Sequence, residues 1–193
     1  MRFVLASMVS AVLAFSAGCI PSVHAIYSAG AEIIAPDLQG VWISEDANET
    51  WEFRLLQEEK KYDLDFTDAE GRLGRFEAVL TEINGQLFMD MFPKPPGEEM
   101  NAFYTLHMVP AHTFMQIDIA AENVELRLLD FDWLENYLIT DPEAIKHEKT
   151  DQLPLLTART PELRDFLGKT MAIDGTWSDA VVLNKMMLEQ PAM

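Results

Sequence analysis

The chain has 193 residues and a formal net charge of −18, with 32 acidic against 14 basic side chains. So acidic a surface disfavours nucleic acid and anionic membrane surfaces as partners and favours solubility. A single cysteine, Cys19, excludes an internal disulfide framework.

Residues 1–18 read as an export signal. Arg2 supplies a positive start, Phe3 to Phe15 is an apolar run broken only by serines, and Ser16-Ala17-Gly18 precede Cys19. The run falls short of the ~20 residues a membrane-spanning helix needs. Ser16-Ala17-Gly18-Cys19 resembles the bacterial lipobox, in which the cysteine becomes the lipidated N-terminus, although Ser16 stands where Leu is usual. The alternative is ordinary cleavage after Val23-His24-Ala25. Lipidation accounts for a lone thiol in an oxidising compartment, and the first reading makes Cys19 the attachment point of a membrane-anchored lipoprotein facing the periplasm. Ile20 is not the Asp that retains lipoproteins at the inner membrane in enteric bacteria, which favours the outer membrane. The second reading gives a soluble periplasmic or secreted protein. Removing residues 1–18 takes away Arg2 and no acid, so the charge moves to −19 and a single domain of about 175 residues remains.

Residues 19–37 carry Pro21 and Pro36 without periodicity, as suits a tether or an arm lying across the fold. The fold itself is expected over 38–193. From Leu38 to Asp130 apolar and polar residues alternate through short segments, the pattern of half-buried strands. Gln39 to Ser44 and Trp51 to Leu55 are the first two, and Tyr62, Leu64 and Phe66 mark the third. Asn84-Gly85 is a type I′ hairpin signal. It pairs Ile83 with Gln86, Leu80 with Met89 and Ala78 with Met91, so the apolar sets coincide, and a slip of one residue would destroy that. A second hairpin is expected around Pro110-Ala111, with Phe103 to Val109 and His112 to Ala120 as its strands. Val124 to Leu128 completes eight. Asp130 or Asp132 caps a helix whose stripe is Trp133, Leu134, Tyr137 and Leu138, either packed on the barrel wall or forming a lid or docking face. Asp141-Pro142 predicts a further helical turn. Ile145 to Thr150 and Leu153 to Arg159 are weaker strand candidates. Thr160-Pro161 opens a second helix with Leu163, Phe166 and Leu167 buried, and Ala180 to Leu183 makes a last strand.

Eight short antiparallel strands with one apolar face remove their edges by closing. The expected fold is therefore mainly β, an eight-stranded antiparallel up-and-down barrel with two C-terminal helices and a final strand. Gly40-Val41-Trp42 resembles the G-x-W motif that opens lipocalin barrels. That resemblance implies a tryptophan plugging the closed end and a late basic residue packed on it, for which Arg127 and Lys185 are candidates. The whole chain is similar to uncharacterised bacterial lipoproteins of lipocalin-like (calycin-type) form.

A barrel of this size is either just filled or holds one small ligand. The expected ligand-contacting set is Trp51, Phe53, Tyr62, Phe66, Met89, Met91, Tyr104, Met108 and Met115, uncharged and rich in adaptable methionine. It points to a small apolar, lipid-like molecule; the alternative is a filled barrel in a structural or interaction protein of the envelope. His107 and His112 are expected diagonal to one another on the outer face, with Gln116 and Asp118; as surface histidines they need no metal, and there is no H-E-x-x-H. Asp63 with Asp65 and Glu58 with Glu59 are the acid pairs that so acidic a chain produces by chance. Ser178 lacks the G-x-S-x-G elbow, and Asn48-Glu49-Thr50 is a glycosylation sequon by spelling only. The reading is of a binding protein, not an enzyme, without cofactor.

Overall fold

The computed structural model describes residues 19–45, 48–95, 101–150 and 153–186. In chain order its elements are β1 (Gly40–Ser44), β2 (Thr50–Leu56), β3 (Lys61–Thr67), β4 (Leu73–Ile83), β5 (Gln86–Pro93), the short helix α1 (Ala102–Thr105), β6 (Thr113–Ile119) and β7 (Asn123–Leu128). There follow α2 (Phe131–Thr140), β8 (His147–Lys149), β9 (Pro154–Leu156), α3 (Thr160–Thr170) and β10 (Val181–Lys185). Eight strands close into an antiparallel barrel in the order β1-β10-β7-β6-β5-β4-β3-β2, while β8 and β9 form a separate two-stranded ribbon.

The Asn84-Gly85 hairpin has the expected register, Ile83 opposite Gln86, Leu80 opposite Met89 and Ala78 opposite Met91. Asn84 and Gly85 both take positive φ, 51° and 85°, as a type I′ turn requires. The expected hairpin at Pro110-Ala111 does not form. Met89 pairs with Met115, so β6 already occupies the free edge of β5 and leaves none for residues 103–109. Asn101 instead accepts the Phe103 amide at 2.8 Å and starts the helical turn α1. The eighth strand comes from the chain's end: β10 enters between β7 and β1, with Val181 opposite Leu126 and Trp42 opposite Lys185.

Period-two alternation sorts the wall into two cores. The inward set, including Trp42, Phe53, Leu64, Leu80, Met89, Ile117 and Leu126, fills the barrel. The outward residues Ile83, Phe88 and Phe114 lie under a second core built from Leu134 and Leu138 of α2, Leu163, Phe166 and Leu167 of α3, and Ile20 and Ile26 of the N-terminal arm. Asp130 caps α2 by accepting the Trp133 amide at 2.7 Å. Trp133 stacks on Tyr137, and Phe166 meets Tyr137 edge to face and Trp133 at a tilt, so α2 packs against α3 and the wall. Asp141-Pro142 makes only a turn, with the Ala144 amide on the Asp141 carbonyl, and not a further helical turn.

Residues 19–37 form an arm across the body. Ser22 exchanges both backbone hydrogen bonds with His112, the Ile26 amide reaches Asp90, and the Ile33 amide bonds to the Leu80 carbonyl. The arm thus descends the outer wall and turns under the barrel in a 3-10 turn, Pro36–Leu38.

Candidate functional site

The barrel has two unlike ends. At the arm end, Leu38 and Trp42 are fully buried, and the Trp42 indole N–H donates to the Leu38 carbonyl at 2.8 Å. The Lys185 ammonium stands 4.9 Å from the centre of the Trp42 ring, within cation–π range. Lys185 is therefore the late basic partner; Arg127 is held on the outer face by Asp118 and Glu125. The Tyr62 hydroxyl fastens the arm, donating to the Ala35 carbonyl and accepting the Ala35 amide. Together these close that end.

The opposite end is where the β1–β2, β3–β4 and β5–β6 connections leave. There the inward Phe66, Phe76, Leu128 and Val181 are only partly buried, with Trp51 and Met91 beneath them. Trp51 and Phe66 meet edge to face at 4.8 Å. Gly74 makes room for this layer, because a β-carbon there would lie 2.9 Å from the Phe76 ring.

Seven of the nine expected contact residues, Trp51, Phe53, Tyr62, Phe66, Met89, Met91 and Met115, belong to this single interior cluster. Tyr104 and Met108 do not. They stand on the β5–β6 connection, 57% and 54% exposed, because the strand expected to carry them inward does not form. Midway down the barrel, Leu64, Ala78, Leu80, Met89, Ile117, Val124, Leu126 and Leu183 have no accessible surface, so no water-sized void adjoins them.

One inward carboxylate escapes a search for apolar alternation. Glu49 is hydrogen-bonded opposite Ser44 and sits two residues before Trp51, which gives it the inward phase at the loop end. It is buried. Burial raises its pKa above the ordinary carboxylate value, opposed by a hydrogen bond with Trp51 and reinforced by Asp68 and Glu70. The native state thus holds this proton more tightly than the unfolded chain does. Stability contributed by the protonated form is present below the unfolded pKa and is lost as pH rises through the native value. Glu49→Gln should stabilise the fold by about 1 kcal/mol at pH 7 and flatten its dependence on pH above the carboxylate range, measured by urea denaturation across pH. The signal that finds Glu49 is its i−2 spacing from Trp51.

A second polar pair lies on the outer wall. Asp90, on β5 and 1% exposed, accepts the Ile26 amide at 2.8 Å and lies 2.6 Å from His112 Nδ1, whose ring packs on Phe92 at 4.5 Å. Burial raises the Asp90 pKa, and His112 and the Ile26 amide oppose the rise. His107 is elsewhere, its Nδ1 2.7 Å from the Phe103 carbonyl, so the expected diagonal pair of histidines is not formed. Among the described residues no three metal-binding side chains converge. Asp63 pairs with Lys94 and Asp65 with Arg54 on the surface. Ser178 Oγ accepts the Leu128 amide and donates to the Asp179 carbonyl. Cys19 is half-buried, and burial raises its thiol pKa.

No family model, no curated protein and no solved structure matches the chain. The geometry is compatible with a lipocalin-like barrel, and the likeness rests on Gly40-Val41-Trp42, the barrel topology and the Trp42–Lys185 contact. No helix among the described residues is long and apolar enough to cross a membrane.

Proposed function

We propose that the protein is a lipocalin-like lipoprotein of the cell envelope, anchored through Cys19, whose barrel binds or carries a small apolar molecule. The observation that supports this best is the lining: an inward face of aromatic and aliphatic side chains, plugged at the arm end, that rises to partly exposed Phe66, Phe76, Leu128 and Val181. Met89, Met91 and Met115 lie directly below, and three rotatable bonds let each yield space to a ligand. Entry is from the loop end, and the ligand displaces methionine side chains instead of filling a standing cavity. Trp51, inward at that end, is a built-in reporter. Titrating a fatty acid or an apolar dye should change tryptophan emission, and Phe66→Asp, which puts a charge in the upper layer, should abolish the response. An unchanged emission in the native chain would sink the reading.

The alternative is a structural or interaction protein with a filled barrel. It is favoured by the inward side chains midway along the barrel that have no accessible surface. It predicts no ligand response together with specific partners recovered from crosslinked envelopes.

A further inference from the structure

We infer that the β5–β6 connection, residues 101–109, is a membrane-contacting loop that places its apolar side chains in the interface of a neutral lipid bilayer. Phe103, Tyr104, Leu106, Met108 and Val109 are 72%, 57%, 76%, 54% and 79% exposed, all within seven consecutive residues. Isolated exposed apolar residues are ordinary, but this many from one short segment form a patch that water does not favour. The segment has a defined shape. The Phe103 amide bonds to the Asn101 side chain, the Thr105 amide to the Asn101 carbonyl, and the His107 amide to the Tyr104 carbonyl.

Charge selects the occupant. From Met100 to Ile117 there is no Asp, Glu, Lys or Arg, in a chain whose net charge is −18. A second copy would bring the same −18 to the contact, and anionic lipid would repel the body. A zwitterionic surface imposes neither cost, and Phe, Tyr, Leu, Met and Val partition into it without burying a charge.

The course of the chain supplies a second, separate argument. Cys19 lies three residues before Ser22, which exchanges backbone hydrogen bonds with His112, itself three residues after Val109. By chain reach the point where residues 1–18 leave the body is within roughly 25 Å of the loop. Whether the apolar run Phe3 to Phe15 stays or a lipid on Cys19 replaces it, the attachment begins within that reach of the loop. This inference rests on the membrane attachment of the preceding section and is independent of what the barrel holds.

The test reconstitutes the full chain in phosphatidylcholine vesicles, with an environment-sensitive nitrobenzoxadiazole label on Leu106→Cys or, as control, on the exposed Ile139→Cys of α2. Unsubstituted chain reports any label taken up by Cys19. The Leu106 label should blue-shift, brighten several-fold and be quenched by spin-labelled lipid, while the Ile139 label stays in water. Flotation of the same samples separates the two readings. A chain that floats with its Leu106 label in water keeps the anchor and overturns the loop proposal; a chain that does not float overturns both. A blue shift without vesicles that grows with protein concentration would assign the loop to a second copy and overturn it equally.

Discussion

Trp42→Ala should cost about 3–5 kcal/mol of folding stability, the range for truncating a large buried aromatic side chain. Trp42 has no accessible surface, lies opposite both Trp51 and Lys185 across its two neighbouring strands, and holds Leu38 through its indole N–H. Its removal opens a void where the first strand, the last strand and the plugging turn meet. Because β1 and β10 are the seam that closes the barrel, the loss should be cooperative, with the whole urea transition moving and no early phase. Lys185→Met is the control. It keeps an unbranched stem over the ring and removes the charge, so it should cost only about 1 kcal/mol, the cation–π contribution. A Trp42→Ala chain as stable as the native one would mean that the arm, not the seam, closes that end.

Asp90→Ala should cost about 2 kcal/mol, since removing a buried hydrogen-bonding carboxyl leaves its partners unsatisfied. Here the abandoned groups are the Ile26 amide of the arm itself and His112, on which the arm's Ser22 is hydrogen-bonded. The arm should therefore loosen ahead of the barrel, with hydrogen exchange at Ile26 rising well before that of β4 and β5. Asp90→Asn separates charge from hydrogen bonding: its side chain still accepts the amide, so exchange at Ile26 should stay near native. Taken alone, the raised Asp90 pKa makes the contribution of its protonated form fall as pH rises from the unfolded carboxylate value through the native one. In Asp90→Asn that dependence should vanish. Exchange at Ile26 unchanged in Asp90→Ala would show that Ile20 and Leu156 hold the arm without the polar pair.

How much of this was legible in the sequence follows from how local each signal is. Alternation reports which face of a strand is buried, and it located Trp51, Phe53, Tyr62, Phe66, Met89, Met91 and Met115 inside the barrel. Asn84-Gly85 is legible because two residues alone specify a type I′ turn, and Asp130 because a helix cap is a contact over three residues. Residues 103–109 misled for the complementary reason. Tyr104, Leu106 and Met108 at alternate positions describe a strand with a buried face, but whether an edge is free to receive it depends on where Met115 goes. Glu49 was missed because alternation is a search for apolar residues, and its burial follows from the pairing of Ser44 with its own backbone. The Asp90–His112 pair joins residues 22 apart in sequence and is covered by an arm more than sixty residues upstream of Asp90.

By itself the sequence determined the class of fold, the inward face of six strands, the Asn84-Gly85 register and the two C-terminal helices, since each is written in periodicity or in a few adjacent residues. Only the tertiary structure decided that β10 is the eighth stave of the barrel and Lys185 the partner of Trp42. It alone showed that residues 19–37 pack as an arm and that Tyr104 and Met108 point into solvent. Those features depend on which of several chemically acceptable edges and faces a distant segment reaches first. Closing a barrel leaves room for one such segment and turns the rest outward.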